Sequence, residues 1–195
     1  MKNLLFILLF AFSVMAYGQK IKVVEGDLSV LKGQTSVKTE FTYDNMAVGK
    51  FPKEADYVAK KKGEHNEKEA GTGDKWEAAW VSDRKERFEP QFRELFSKHA
   101  GITADGEDAQ YTLIFHTVKT EPGYNIGISR ASAFIDAEAT LVETKSPEKV
   151  LAKVTITKAP GRDVMGYDFD SGTRLQEAYA KSGKELGSFI KGKTK

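Results

Sequence analysis

The chain has 195 residues, 30 of them basic and 28 acidic for a formal net charge of +2, and it contains no cysteine. So even a balance excludes nucleic-acid binding through bulk charge, which needs a clustered excess of Lys and Arg. The missing thiol excludes disulfides, thiolate metal sites, cysteine nucleophiles and lipid attachment through a cysteine.

Met1-Lys2-Asn3 gives a short positive start, and Leu4 to Ala16 is an almost unbroken apolar run. Ala16-Tyr17-Gly18 then places small residues where a signal peptidase reads them. This is the three-part layout of a secretory signal peptide, and the run is short for a membrane span. Residues 1–18 are therefore expected to be a leader and Gln19 the mature start, with a second cut readable after Ala16. Removing eighteen of the 195 residues leaves 177, a length that suits one domain over 19–195. No second long apolar run follows, so no transmembrane helix is expected in the mature chain. The expected location is the bacterial periplasm or the medium.

Ile21–Val24 and Leu28–Leu31 are short apolar pieces split by a Glu25-Gly26-Asp27 turn. Val37, Thr39, Phe41 and Tyr43 alternate with Lys38, Glu40 and Thr42, a period of two that predicts a strand with one wet face. Phe51-Pro52 can open a short helix running to Lys60-Lys61-Lys62. From Gly63 to Gly73 almost every residue is charged or small, which predicts a mobile charged loop near 59–74. Asp74 is a plausible N-cap for a helix starting at Lys75. Trp76, Trp80, Phe88, Phe92, Leu95 and Phe96 recur at helical spacing, and Gly101 suits a C-cap. Pro90 predicts a kink, or two helices meeting near Glu89.

From Gln110 the period returns to two. Tyr111, Leu113 and Phe115 share a face, and Glu121-Pro122-Gly123-Tyr124 fits a type II turn. Ala131, Ala133, Ile135, Ala137, Ala139 and Leu141 then form a small-residue face that would admit a helix closely. Lys145–Glu148 reads as a hairpin loop, and Val150, Ala152, Val154 and Ile156 as the next strand. After a Gly/Asp-rich connection, Thr173 with Gln176 matches a capping box. Leu175, Ala178, Tyr179, Ser182, Leu186, Phe189 and Ile190 stripe the last helix. The expected fold class is α+β: an antiparallel sheet of about four to five strands with two main amphipathic helices on one face.

Motifs carrying chemistry are weak. Gly71-Thr72-Gly73 lacks the third glycine of a phosphate loop, since Trp76 stands there. Gly127-Ile128-Ser129-Arg130-Ala131 lacks the last glycine of a nucleophile elbow and leads into a strand. His65, His99 and His116 are scattered. Asp168-Phe169-Asp170-Ser171-Gly172 starts like a calcium loop without the further acidic ligands. No cofactor and no metal are expected. Trp76 and Trp80, flanked by Lys75, Arg84 and Arg87, could bind sugars or polyanions, although such a stripe usually faces a core. Asp168 and Asp170 are further contact candidates in an exposed loop; no catalytic residue is identifiable.

The layout from 110 to 191 is the strand Ala133–Glu143, a short turn, Val150–Thr157, a Gly/Asp loop and an amphipathic helix. It resembles the periplasmic α+β domains of curli-secretion-channel proteins and of outer-membrane activators of penicillin-binding proteins. The chain departs from them in lacking a lipid-bearing cysteine. The resemblance implies an assembly or interaction role without catalysis and transfers no functional residue. The expected function is an exported envelope protein acting as a binding or assembly module, with an envelope protein or glycan as partner. The alternative is a hydrolase using carboxylates of the 161–172 loop, Asp168 and Asp170, or Glu138.

Overall fold

A computed structural model of the chain describes residues 19–125, 128–162 and 170–195. The leader, and Asp168 in the last connection, lie outside the described residues. Strand β1 (Lys20–Gly26) is followed by a 3-10 turn at Leu28–Leu31, β2 (Lys38–Thr42) and the short β3 (Ala47–Val48). Helices α1 (Glu54–Lys68), α2 (Thr72–Asp83) and α3 (Glu89–Ala100) come next, then β4 (Tyr111–Glu121). The small pair β5 (Tyr124–Asn125) and β6 (Arg130–Ala131) precedes β7 (Phe134–Glu143), β8 (Ser146–Pro160) and α4 (Ser171–Lys193). None of the described helices is long and apolar enough to cross a membrane.

The fold class is α+β, with one main sheet in the order β1-β8-β7-β4-β2 and β3 also on β4. β4, β7 and β8 form the antiparallel meander read from the sequence, and β1 pairs antiparallel with β8. β2 and β3 instead lie parallel to β4, which makes the sheet mixed rather than antiparallel throughout. Three helices separate them from β4, and a crossover of that length returns the chain to the end from which it started.

Alternation along β7 and β8 puts Ile135, Ala137, Ala139, Leu141, Ala152, Val154 and Ile156 on one buried face. Against it pack α3, through Phe92 and Phe96, and α4, through Leu175, Ala178, Tyr179, Leu186 and Ile190. The Phe92 ring lies 4.6 Å from Phe115 and 5.3 Å from Phe41, tying α3 to β4 and β2. Tyr179 is fully enclosed, and its hydroxyl shares a 2.8 Å hydrogen bond with Thr117, so burial leaves no orphaned polar atom there.

Four local expectations are corrected. Residues 59–68 are helical, not a loop. Lys60 and Lys61 lie 3.3 and 2.9 Å from Glu64, and Lys62 reaches across to Asp74 and Glu77, each at 2.8 Å. Charge pairing and good helix formers thus sustain a helix with no fully buried residue. Next, α2 starts at Thr72, not Lys75; Asp74 sits inside its first turn, where an acid suits the dipole. At Pro90 the helix neither breaks nor splits: α2 runs into α3 through a π-helical stretch, Arg84–Phe88, with the Glu89 N–H donating to the Arg84 carbonyl. The wider turn accommodates the proline ring and its missing donor. Finally, α4 is capped by Asp170, which accepts from the Thr173 N–H, instead of by Thr173. Gly101 caps α3 as expected, at φ +72°.

Candidate binding cleft

An open cleft of about 530 Å3 lies at the β2 edge of the sheet. The end of β2 supplies Phe41 and Thr42, and the chain just beyond it supplies Tyr43. The turn beyond adds Asp44 and Asn45, the latter left-handed at φ +57°. The start of α1 contributes Lys53 and Glu54, and the π-helical stretch contributes Arg84. Asp44, Asn45 and Lys53 stand exposed at its mouth.

Glu54 organises the inner wall. Its Oε1 accepts from the Trp80 indole N–H at 2.6 Å and from the Arg84 guanidinium. Arg84 in turn lies 4.3 Å over the Tyr43 ring, a cation–π contact that fixes the guanidinium plane. The Tyr43 hydroxyl donates to Glu89 at 3.4 Å, and burial pushes this phenol far above its ordinary range, with Tyr179 and Glu89 acting in the same direction. The phenol therefore stays neutral. Behind it, Arg93 lies 3.4 Å from Glu89, donates to Thr39 at 2.8 Å and covers the Phe41 ring at 4.7 Å. On the neighbouring strand, His116 shares a 2.9 Å bond with Thr42. The wall is a chain of mutually engaged groups.

The sequence candidates fall in separate places. Trp80 is 8 % exposed and Trp76 half-buried. They stack at 5.6 Å, with Tyr57 5.2 Å from Trp80 and His65 stacked 5.7 Å from Trp76. Their rings seal the α1–α2 seam, and the Trp80 N–H is the part that serves the cleft. Asp170 belongs to another cluster: Arg87 reaches it at 3.2 Å and Asp83 at 3.3 Å. Burial alone would raise the Asp170 carboxyl; the Thr173 hydroxyl and Arg87 outweigh it and hold it at about 2. Glu138 lies on the uncovered sheet face, in register with His116 and Thr155. Among the described residues, no three His, Asp or Glu side chains converge to hold a metal ion.

Sequence reading passed over Glu54 and Tyr43 as functional residues. One usable signal was the spacing of Trp80 and Arg84, one helical turn apart, which puts a donor pair on one face. Glu54 gave none, because its contact spans 26 positions to Trp80.

No family model matches the chain, and neither does any curated protein. Among solved structures, it is similar to the PelC dodecamer from Paraburkholderia phytofirmans, at 12 % identity and a TM-score of 0.43, over 89 % of this chain and 97 % of that one. A point variant of that dodecamer gives 11 % and 0.36, over 84 % and 95 %. A DUF330-family protein from Xanthomonas campestris gives 17 % and 0.37, over 54 % and 60 %.

Proposed function

We propose that this is an exported bacterial envelope protein that binds a polar ligand or partner segment in the β2-edge cleft and does no chemistry there. The observation that supports binding over turnover is the state of the inner wall. General acid–base catalysis needs a group poised to give or take a proton. Here the Glu54 carboxylate is held by Trp80 and Arg84, and the Tyr43 phenol is kept neutral. What remains at the mouth is a carboxylate, an amide and an ammonium, Asp44, Asn45 and Lys53, suited to hydrogen bonding. The leader supports export, and the resemblance of residues 110–191 to envelope domains supports an assembly role.

Trp80 donates to Glu54 of the cleft wall, so tryptophan emission reports on its occupancy. Titrating the protein with envelope glycans and peptides should give a saturable change. Arg84→Ala should weaken it about tenfold or more, the effect of one charge-assisted hydrogen bond of about 1.5–3 kcal/mol. Turnover of any of these compounds, abolished by Glu54→Gln, would establish an enzyme instead.

A further inference from the structure

We propose that Gln19 becomes the amino-terminal residue of the exported chain and is converted there to pyroglutamate; this rests on the leader reading above. Gln19 lies directly before β1, in an open cleft of about 650 Å3 lined by Ile21, Pro160, Lys181, Lys184, Glu185 and Phe189 among others. Both polar atoms of its side chain, Nε2 and Oε1, are buried and neither has a hydrogen-bond partner. A primary amide offers two donors and an acceptor with two lone pairs, and leaving them unmet destabilises the folded state. This carboxamide is the one orphaned buried side-chain group among the described residues.

Cleavage after Gly18 places a new α-amine on the same residue. The amine then sits on a cleft where Lys181 pairs with Glu177 at 3.6 Å and Lys184 with Glu185 at 3.7 Å, with Lys20 next in the chain. An ordinary α-amine, with a pKa of about 7.7–8.0, already holds a fraction of the free base, the nucleophilic species, at neutral pH. Its lone pair attacks the side-chain carbonyl carbon, Cδ. The bond from Cδ to the amide nitrogen breaks, the proton lost by the amine passes to that nitrogen, and ammonia departs. The product is a five-membered lactam, formed without oxidant or cofactor. Nucleophile and electrophile belong to one side chain, so the reaction has the advantage of proximity. Closure removes one cation and the amide's two donors, and leaves a compact ring whose methylene edge suits Ile21, Pro160 and Phe189.

The test is the intact mass and N-terminal sequence of the full chain, expressed with its leader and recovered from the periplasm. The expected mass is that of residues 19–195 less one ammonia, with sequencing blocked until pyroglutamate aminopeptidase is added. Gln19→Ala has no side-chain carboxamide to close on and should keep an open terminus that sequences directly. A wild-type chain that begins at Gln19 and retains its ammonia after days at neutral pH would overturn the modification while leaving export intact. A chain that begins at another residue would overturn the modification while leaving export intact, and one that keeps the leader would overturn both.

Discussion

Asp170 accepts the Thr173 N–H at 3.0 Å and lies 3.2 Å from Arg87, so the first turn of α4 and the π-helical stretch meet at one carboxylate. Its carboxyl sits at about 2 in the folded chain against an ordinary value of 3.8. A depressed carboxyl stabilises the fold above the ordinary value, and that contribution is lost as pH falls through about 4 toward about 2. Asp83 acts in the opposite sense: burial raises its carboxyl, so its contribution is lost as pH rises. The two are separable by mutation. Asp170→Ala should cost about 1 kcal/mol at neutral pH, the typical worth of a cap, with little added by a pair this exposed. Denaturant unfolding of both proteins checks it, and the gap should close near pH 2. An equal gap at both pH values would show that the carboxylate's charge is irrelevant. Sequence alone placed Asp170 in an exposed loop as a contact candidate and gave the cap of the last helix to Thr173. It did not reveal its structural employment, because Arg87 is 83 positions away.

At the scale of elements, the tightest feature is the contact of α3 with α4. A Cβ added at Gly183 would come within 2.3 Å of the Phe92 carbonyl oxygen, and one at Gly187 within 2.7 Å of that of Phe96. These neighbours are backbone, which cannot turn aside. Gly183→Ala should therefore separate the helices and cost about 1–3 kcal/mol, the usual penalty of overpacking. A shift in the midpoint of denaturant unfolding reads it; an unchanged midpoint would mean the helices already have room. The apolar stripe of α4 was legible from its spacing, and these two glycines within it were not. A glycine in a helix reads as a weakness until the opposing helix is known. The α1–α2 hairpin escaped for a related reason. Its helix is held by Lys62 bridging to Asp74 and Glu77 and by rings from Tyr57 and Trp76, not by an apolar stripe. Strand direction escaped too, since the alternation of β2 fixes its faces but not its partner's polarity.

At the scale of the molecule, helices α3 and α4 occupy one face of the sheet and the cleft opens at its β2 edge, beside the start of α1. Alternation along the strands made the α+β class and the buried face legible. The cleft was not, because its wall joins residues from β2, α1 and the π-helical stretch. The central claim, that this edge holds a partner after export, is tested most directly by photo-crosslinking in the exporting cell. A photoreactive side chain would replace Asn45 at the mouth, or Val81, 53 % exposed on α2 and outside the cleft lining. The expected result is a discrete adduct from position 45, absent from position 81 and lost when Arg84→Ala is added. No adduct from position 45, or the same products from both positions, would contradict it.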